Sequence, residues 1–271
     1  MRNADPFAES LDRLNALIFG EPGTGKTWLA ASLGEIKRTL IVDIDRGLKT
    51  LTQVPKQWLK NLILVELDAF TDLDILYKAC IKNDPAYWTK ILNGRLSPED
   101  PKYIKVTDPI EAIVMDTWSE LNWEIAEEKR SIIGKQGDGS LKFRENIQIQ
   151  DWGNIIDLQR LSLTAFRDAP ISFICNCHEQ VIVNEKLNTI RGLPSVSGKL
   201  APEMGKYFDV VGHLVLGVQG ARVLETQANY RYQAKSRIAL PAKLTNPTFK
   251  VIFEEISRQA LHGKEKQNGK S

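Results

Sequence analysis

Short apolar runs recur along the chain, each closed by glycine or charged residues, and they alternate with stretches of helical spacing. Leu14, Ala16, Leu17, Ile18 and Phe19 predict a first buried strand, and 28–33 reads as the opening turns of a helix. A second apolar run, 39–42, ends in Asp43-Ile44-Asp45-Arg46-Gly47, and 61–67 predicts a third strand. Leu73, Leu76, Tyr77 and Cys80 fall on one side of an amphipathic helix over 71–81. From 82 to 109 the pattern breaks at Pro85, Pro98, Pro101 and Pro109, which predicts a surface insertion. Ile113, Val114 and Met115 then lead to Asp116 as another buried strand. A helix over 117–133 follows, with Trp118, Leu121, Ile125 and Ala126 on one side.

The second half reads in the same way. Residues 134–150 form a glycine-rich loop, and Asp151 is expected to cap a helix through Ile155, Leu158, Leu161 and Phe166 that stops before Pro170. A buried strand over 171–180 leads to a loop-like segment, 181–200, and a short helix over 201–208. Strands over 210–218 and 221–227 read as a hairpin across Gln219-Gly220, with 230–237 as a third antiparallel strand. The alternation of strands and helices predicts an α/β fold with a mainly parallel central sheet, flanking helices and a C-terminal antiparallel extension. We expect one domain over 12–257, an N-terminal segment 1–11 and a polar, disordered tail over 258–271.

Composition narrows this only slightly. Of 271 residues, 42% are hydrophobic, enough for a sizeable core, and 36 Lys plus Arg against 34 Asp plus Glu leave any basic surface local. Cys80, Cys175 and Cys177 have neither disulfide nor zinc spacing, which points to a reducing compartment. No apolar leader is evident at 1–6 and no run reaches membrane length, so a cytoplasmic chain without membrane contact is expected.

Chemistry concentrates first at Gly20-Glu21-Pro22-Gly23-Thr24-Gly25-Lys26-Thr27, which fits G-x-x-x-x-G-K-[ST] in full between a strand and a helix. Glycines let backbone N–H groups converge on anionic oxygens; Lys26 would reach the β- and γ-phosphates of ATP and Thr27 would hold Mg²⁺. Asp116 ends the strand that delivers a carboxylate beside this loop, as a Walker B strand does, where it can accept hydrogen bonds from Mg²⁺-bound water. The long separation of Lys26 from Asp116 suits NTPases with an extra strand between the two Walker strands.

Other candidates stay open on residue content alone. Asp43 and Asp45 either orient a water or close a turn before Gly47. His178, at the end of its strand, either senses the γ-phosphate or is structural. Lys135, Lys142 and Arg144 beside Phe143, with Lys186, Arg191 and Lys199, either contact single-stranded DNA or sit on solvated loops. Lys235 and Arg237 share a side of their strand, as either a finger for a neighbouring subunit's site or a solvated face.

Taken in order, the Gly20 to Thr27 loop, Asp43-Ile44-Asp45, Ile113 to Asp116, Cys177-His178-Glu179 and Lys235-x-Arg237 resemble a RecA-like P-loop NTPase core. Ser197-Gly198-Lys199-Leu200-Ala201-Pro202 and Phe208-Asp209-Val210-Val211 resemble the phage-encoded nucleotide-binding proteins that include the Sak-class single-strand-annealing ATPases. The resemblance covers roughly 12–257. It implies Mg-ATP on Lys26, Thr27 and Asp116, with Asp45 in the place of the catalytic glutamate. His178 would couple the γ-phosphate to the DNA loops, and Lys235 and Arg237 would form a paired finger in trans. Because aspartate is one methylene shorter than glutamate, hydrolysis is expected to be slow or DNA-stimulated. The implied function is action on single-stranded DNA in phage recombination or annealing, in the bacterial host cytoplasm. It would act as a ring or filament, alongside single-strand-binding or replication proteins. The rival is an ATP-dependent switch or loader that acts through a protein partner.

Overall fold

We describe the chain from a computed structural model, which covers residues 13–67, 69–94, 96–129, 132–135, 141–143, 149–184, 189–238 and 240–268. In chain order the elements begin β1 (Asn15–Gly20), α1 (Lys26–Ala31), β2 (Thr39–Asp43), α2 (Lys56–Leu59), β3 (Leu62–Glu66), α3 (Asp72–Lys82) and α4 (Pro85–Asn93). Next come β4 (Ala112–Asp116), α5 (Trp118–Lys129), β5 (Ile132–Lys135), β6 (Leu141–Phe143), α6 (Ile149–Asp168), β7 (Ser172–Asn184), β8 (Thr189–Pro194) and α7 (Leu200–Glu203). β9 (Val210–Leu216), β10 (Arg222–Glu225), β11 (Lys235–Ser236), β12 (Lys243–Thr245) and α8 (Phe249–Asn268) complete the chain.

One large sheet runs in the order β12, β10, β9, β1, β7, β4, β2, β3. From β9 to β3 every neighbouring pair is parallel, and β10 and β12 extend the edge antiparallel. β7 therefore lies between β1 and β4, which puts one strand between the phosphate loop and the Asp116 strand, as the sequence spacing suggested.

The central strands read as continuous apolar runs because both faces of the sheet are covered. Alternate residues go to opposite sides. Leu17, Phe19, Val42, Met115, Phe173 and Cys175 pack with Trp88, Trp118 and Phe166, while Ala16, Ile18, Ile41, Val114 and Ile174 pack with Leu29 of α1 and Phe249 and Ile252 of α8. The result is an α/β/α sandwich, the P-loop NTPase α/β core.

Several boundaries differ from the sequence expectation. The 82–109 insertion is not merely superficial: Asp84 caps α4, accepting from the Tyr87 N–H at 2.7 Å, Pro85 starts the helix, and Trp88 is fully buried. Part of the expected loop 134–150 is a β5–β6 hairpin, and α6 starts early enough that Asp151 lies inside it rather than at its cap. The expected loop 181–200 is largely a second hairpin, in which β7 runs on to Asn184 and pairs antiparallel with β8. The third antiparallel strand reduces to β11, which pairs with β9 at Val210 and Val211. The polar segment expected as a disordered tail is helical in α8 as far as Asn268. Among the described residues no helix is long and apolar enough to cross a membrane.

Candidate functional site

The C-terminal ends of β1, β2, β4 and β7 converge on one edge of the sheet, where ligands of open parallel sheets bind. β1 delivers Gly20 there. A Cβ on Gly20 would stand 2.2 Å from the Leu214 carbonyl oxygen, so only glycine lets the loop leave so close to β9. Gly23 and Gly25 adopt φ of 81° and 97°, a left-handed conformation that glycine reaches without steric cost. The Thr24 hydroxyl closes the turn by donating to the Glu21 carbonyl at 2.9 Å.

Lys26 opens α1 and is 5% exposed. Its Nζ donates to the Gly20 and Glu21 carbonyls, each at 3.0 Å, so the side chain curls back across the loop. Burial pushes the Lys26 amine below its ordinary value, against the opposing charges of Asp116 and Asp45. Asp116 is buried beneath it. Burial raises its carboxyl above the usual carboxylate range even though Thr27 and Asn176 hydrogen-bond to it. Asn176 Nδ2 donates to Asp116 Oδ1 at 3.0 Å.

Asp43 ends β2 in register with Asp116 on β4. Asp43 and Asp45 both accept from the Gly47 N–H, at 3.0 and 2.9 Å, which is the turn chemistry that two aspartates before a glycine predict. The two still diverge in use, because Asp45 lines the cavity beside the phosphate loop. Burial, then the charge of Asp116, raises the Asp45 carboxyl. His178 faces Gly20 across the β1–β7 pair, and its backbone N–H donates to the Ser119 hydroxyl at 2.9 Å. Its Nε2 stands 4.0 Å from an oxygen of Asp45 and 4.0 Å from one of Glu120.

A cavity of about 390 Å³ gathers these groups: Gly23, Gly25, Lys26 and Thr27 form one wall, and Asp45, Thr117 and His178 face them. A family of AAA domains matches residues 12–238. The chain belongs to the AAA domain family. Its members are P-loop NTPases that use ATP and Mg²⁺. No curated protein matches the chain.

The donors of this AAA domain suit Mg-ATP. A glycine-rich cradle, a lysine, a threonine hydroxyl and the Asp45 carboxylate line one cavity, the buried Asp116 carboxyl hydrogen-bonds to Thr27 of that lining, and the Thr117 hydroxyl and the Asn176 carbonyl are buried without partners among the described residues. Lys26 and the loop N–H groups would bind phosphate oxygens, and Thr27 and Asp116 would hold the metal. Bound Mg²⁺ supplies charge neutralisation of the phosphates.

Asn176, Glu120 and Arg222 escaped sequence reasoning. Asn176 had a signal, a polar residue between two buried cysteines in an apolar run. Glu120 lies in the first turn of α5, the helix that follows Asp116. Arg222 lines the same cavity from β10, and nothing local in the sequence marks it.

The remaining candidates are spread out. Arg191 on β8 and Lys199 before α7 are exposed, Lys135 and Lys142 belong to the β5–β6 hairpin, and Arg144 and Lys186 lie outside the described residues. Lys235 and Arg237 are remote from this AAA domain's own phosphate loop. Lys235 pairs with Val211, which pairs with Leu17, well back along β1 from Gly20. Lys235 Nζ donates to the Gly205 carbonyl at 2.5 Å, and Arg237 donates to the Lys206 carbonyl at 3.2 Å and pairs with Asp209 at 3.5 Å.

Proposed function

We propose that this AAA domain binds and hydrolyses ATP and uses the nucleotide state to control a contact with single-stranded DNA, in recombination or strand annealing. The observation that carries the reading is the continuity of β7. The strand holds Asn176 against Asp116 and His178 at the nucleotide cavity, and it runs without a break into the hairpin with β8, which bears Arg191. The returning segment is fastened to the same strand: the Ser195 N–H donates to the His178 carbonyl at 2.8 Å, and Gln180 Nε2 donates to the Pro194 and Val196 carbonyls at 2.9 and 3.2 Å. A shift of His178 toward a phosphate therefore moves the base of the hairpin.

In this reading Lys26 neutralises phosphate charge, Thr27 and Asp116 orient the metal, and Asp45 holds the attacking water. Arg191 and Lys199, with Lys135, Lys142, Arg144 and Lys186, neutralise DNA phosphates. Assembly into a ring or filament, with Lys235 and Arg237 reaching a neighbour's site, and a phage origin rest on the resemblance to RecA-like annealing proteins alone.

One observation favours the rival, a switch acting on a protein. Val181, Ile182, Val183 and Ile190 on the same hairpin are 58%, 47%, 60% and 59% exposed, an apolar surface of the kind that partners cover. ATP turnover with and without single-stranded DNA, with Lys26→Ala as the blank, separates the two. DNA-stimulated turnover, with oligonucleotide binding that weakens steeply with salt and is lost in Lys142→Ala with Arg144→Ala, supports the DNA reading. ATP binding with neither stimulation nor oligonucleotide binding supports the switch.

A further inference from the structure

Arg222 opens β10, and its side chain lies flat on the phosphate loop. A Cβ built on Gly25 would stand 2.2 Å from Arg222 Nε and 2.8 Å from Cδ. The guanidinium stacks over Trp28, 4.4 Å from the ring centroid, and Trp28 in turn meets the edge of Trp58 at 5.0 Å. The backbone beneath is clamped, since Asn246 Oδ1 accepts from the Arg222 N–H at 3.2 Å and the Asn246 N–H donates to the Arg222 carbonyl at 2.6 Å. Among the described residues no carboxylate pairs with this guanidinium, although it lines the same cavity as Lys26 and Thr27.

A cation held by an indole, with no counter-charge, above glycines whose N–H groups suit anionic oxygens, is an anion site awaiting its anion. We propose that Arg222 contacts the α- and β-phosphates of the nucleotide bound to its own subunit. The assignment rests on the ATP-binding reading and adds a second cation to it. Its position decides which phosphates it meets. Gly25 and Trp28 flank the part of the loop that cradles the α- and β-phosphates, whereas Asp45 and His178 face it from across the cavity. A guanidinium can bridge two phosphate oxygens, and the Trp28 ring limits the rotamer freedom that such a contact must give up.

The test is titration of ATP and of ADP, each with Mg²⁺, into the wild-type chain, Arg222→Ala and Arg222→Lys, with circular dichroism as the check on folding. Loss of one charge-assisted contact corresponds to about a tenfold to hundredfold weaker Kd. The expected result is a loss of that size in Arg222→Ala, equal for ATP and ADP, and partly restored in Arg222→Lys. Arg222→Gln keeps the stem along Trp28 and carries the same expectation should the alanine variant fail to fold. Binding of ADP within about twofold of wild type in a folded variant, or a loss confined to ATP, overturns the assignment and leaves the ATP-binding reading standing. A wild-type chain that binds neither nucleotide overturns both.

Discussion

Asn176 and Asp116 face each other across neighbouring strands, Nδ2 to Oδ1 at 3.0 Å, and both side chains are buried. The amide is one of two hydrogen-bond partners that favour the charged form of a carboxylate whose burial opposes it. Asn176→Leu removes that donor and puts an apolar side chain against the carboxyl. We expect a loss of about 1.5–3 kcal/mol in urea unfolding and a further rise of the Asp116 pKa. Mg²⁺-dependent nucleotide binding should then need higher pH. An unchanged unfolding midpoint would mean that Asn176 does not support Asp116.

Asp45, which we propose orients the attacking water, lines the cavity beside the phosphate loop, and its carboxyl is raised by burial and then by Asp116. Only the ionised form can accept a proton, so turnover should rise with pH through a pKa above the ordinary aspartate value of about 3.9. Asp45→Asn should lower kcat by roughly a hundredfold to ten-thousandfold and leave ATP affinity nearly unchanged. Steady-state rates and equilibrium binding on the same preparation check this. Retained turnover would reassign the role, and Glu120, on the other side of His178, would be the next carboxylate to substitute.

The phosphate loop was legible because its chemistry depends on a fixed local spacing, and the buried strands because coverage on both faces makes them continuous apolar runs. The hairpin of β7 and β8 was hidden by His178-Glu179-Gln180, a polar break that reads as a strand end although the backbone pairing continues through Val181 to Asn184. Helix α4 was hidden by Pro85, read as a breaker where, after Asp84, it is a helix start. Arg222 could not be read at all. Its meeting with Gly25 joins residues far apart in sequence and depends on β10 pairing with β9, itself the parallel neighbour of β1.

Asp43, Asp45 and Asp116 all have carboxyls raised by burial, so the nucleotide-free fold carries a pH-dependent cost. An acid whose folded pKa lies above its unfolded value gives stability that is fully present below the unfolded pKa and is lost as pH rises through the folded one. These groups therefore favour the folded chain at mildly acidic pH over neutral pH, and a cation in the site reverses their effect by compensating the ionised carboxylates. Mg²⁺ with ADP should raise Tm more at neutral pH than at mildly acidic pH. In Asp116→Asn that Mg²⁺ increment should disappear, and thermal melts across a pH series decide it.

Trp88 tests whether 82–109 belongs to the core. The indole is fully buried among residues of the main cluster, and its Nε1 donates to Asn83 Oδ1 at 3.1 Å. Asn83 in turn holds the chain entering β4, accepting from the Ile110 N–H at 3.0 Å and donating to the Ile110 carbonyl at 2.9 Å. Emptying that position leaves a cavity between α4 and the sheet and strips a partner from Asn83. Trp88→Ala should therefore cost about 3–5 kcal/mol in equilibrium unfolding, in a single cooperative transition. A superficial insertion would lose no more than about 0.5 kcal/mol on the same substitution. Because Asn83 and Ile110 lead directly into the strand that ends at Asp116, the Trp88 variant should also bind Mg-nucleotide more weakly at temperatures where it remains folded. Unfolding at the predicted cost with undiminished binding would confine α4 to a structural role.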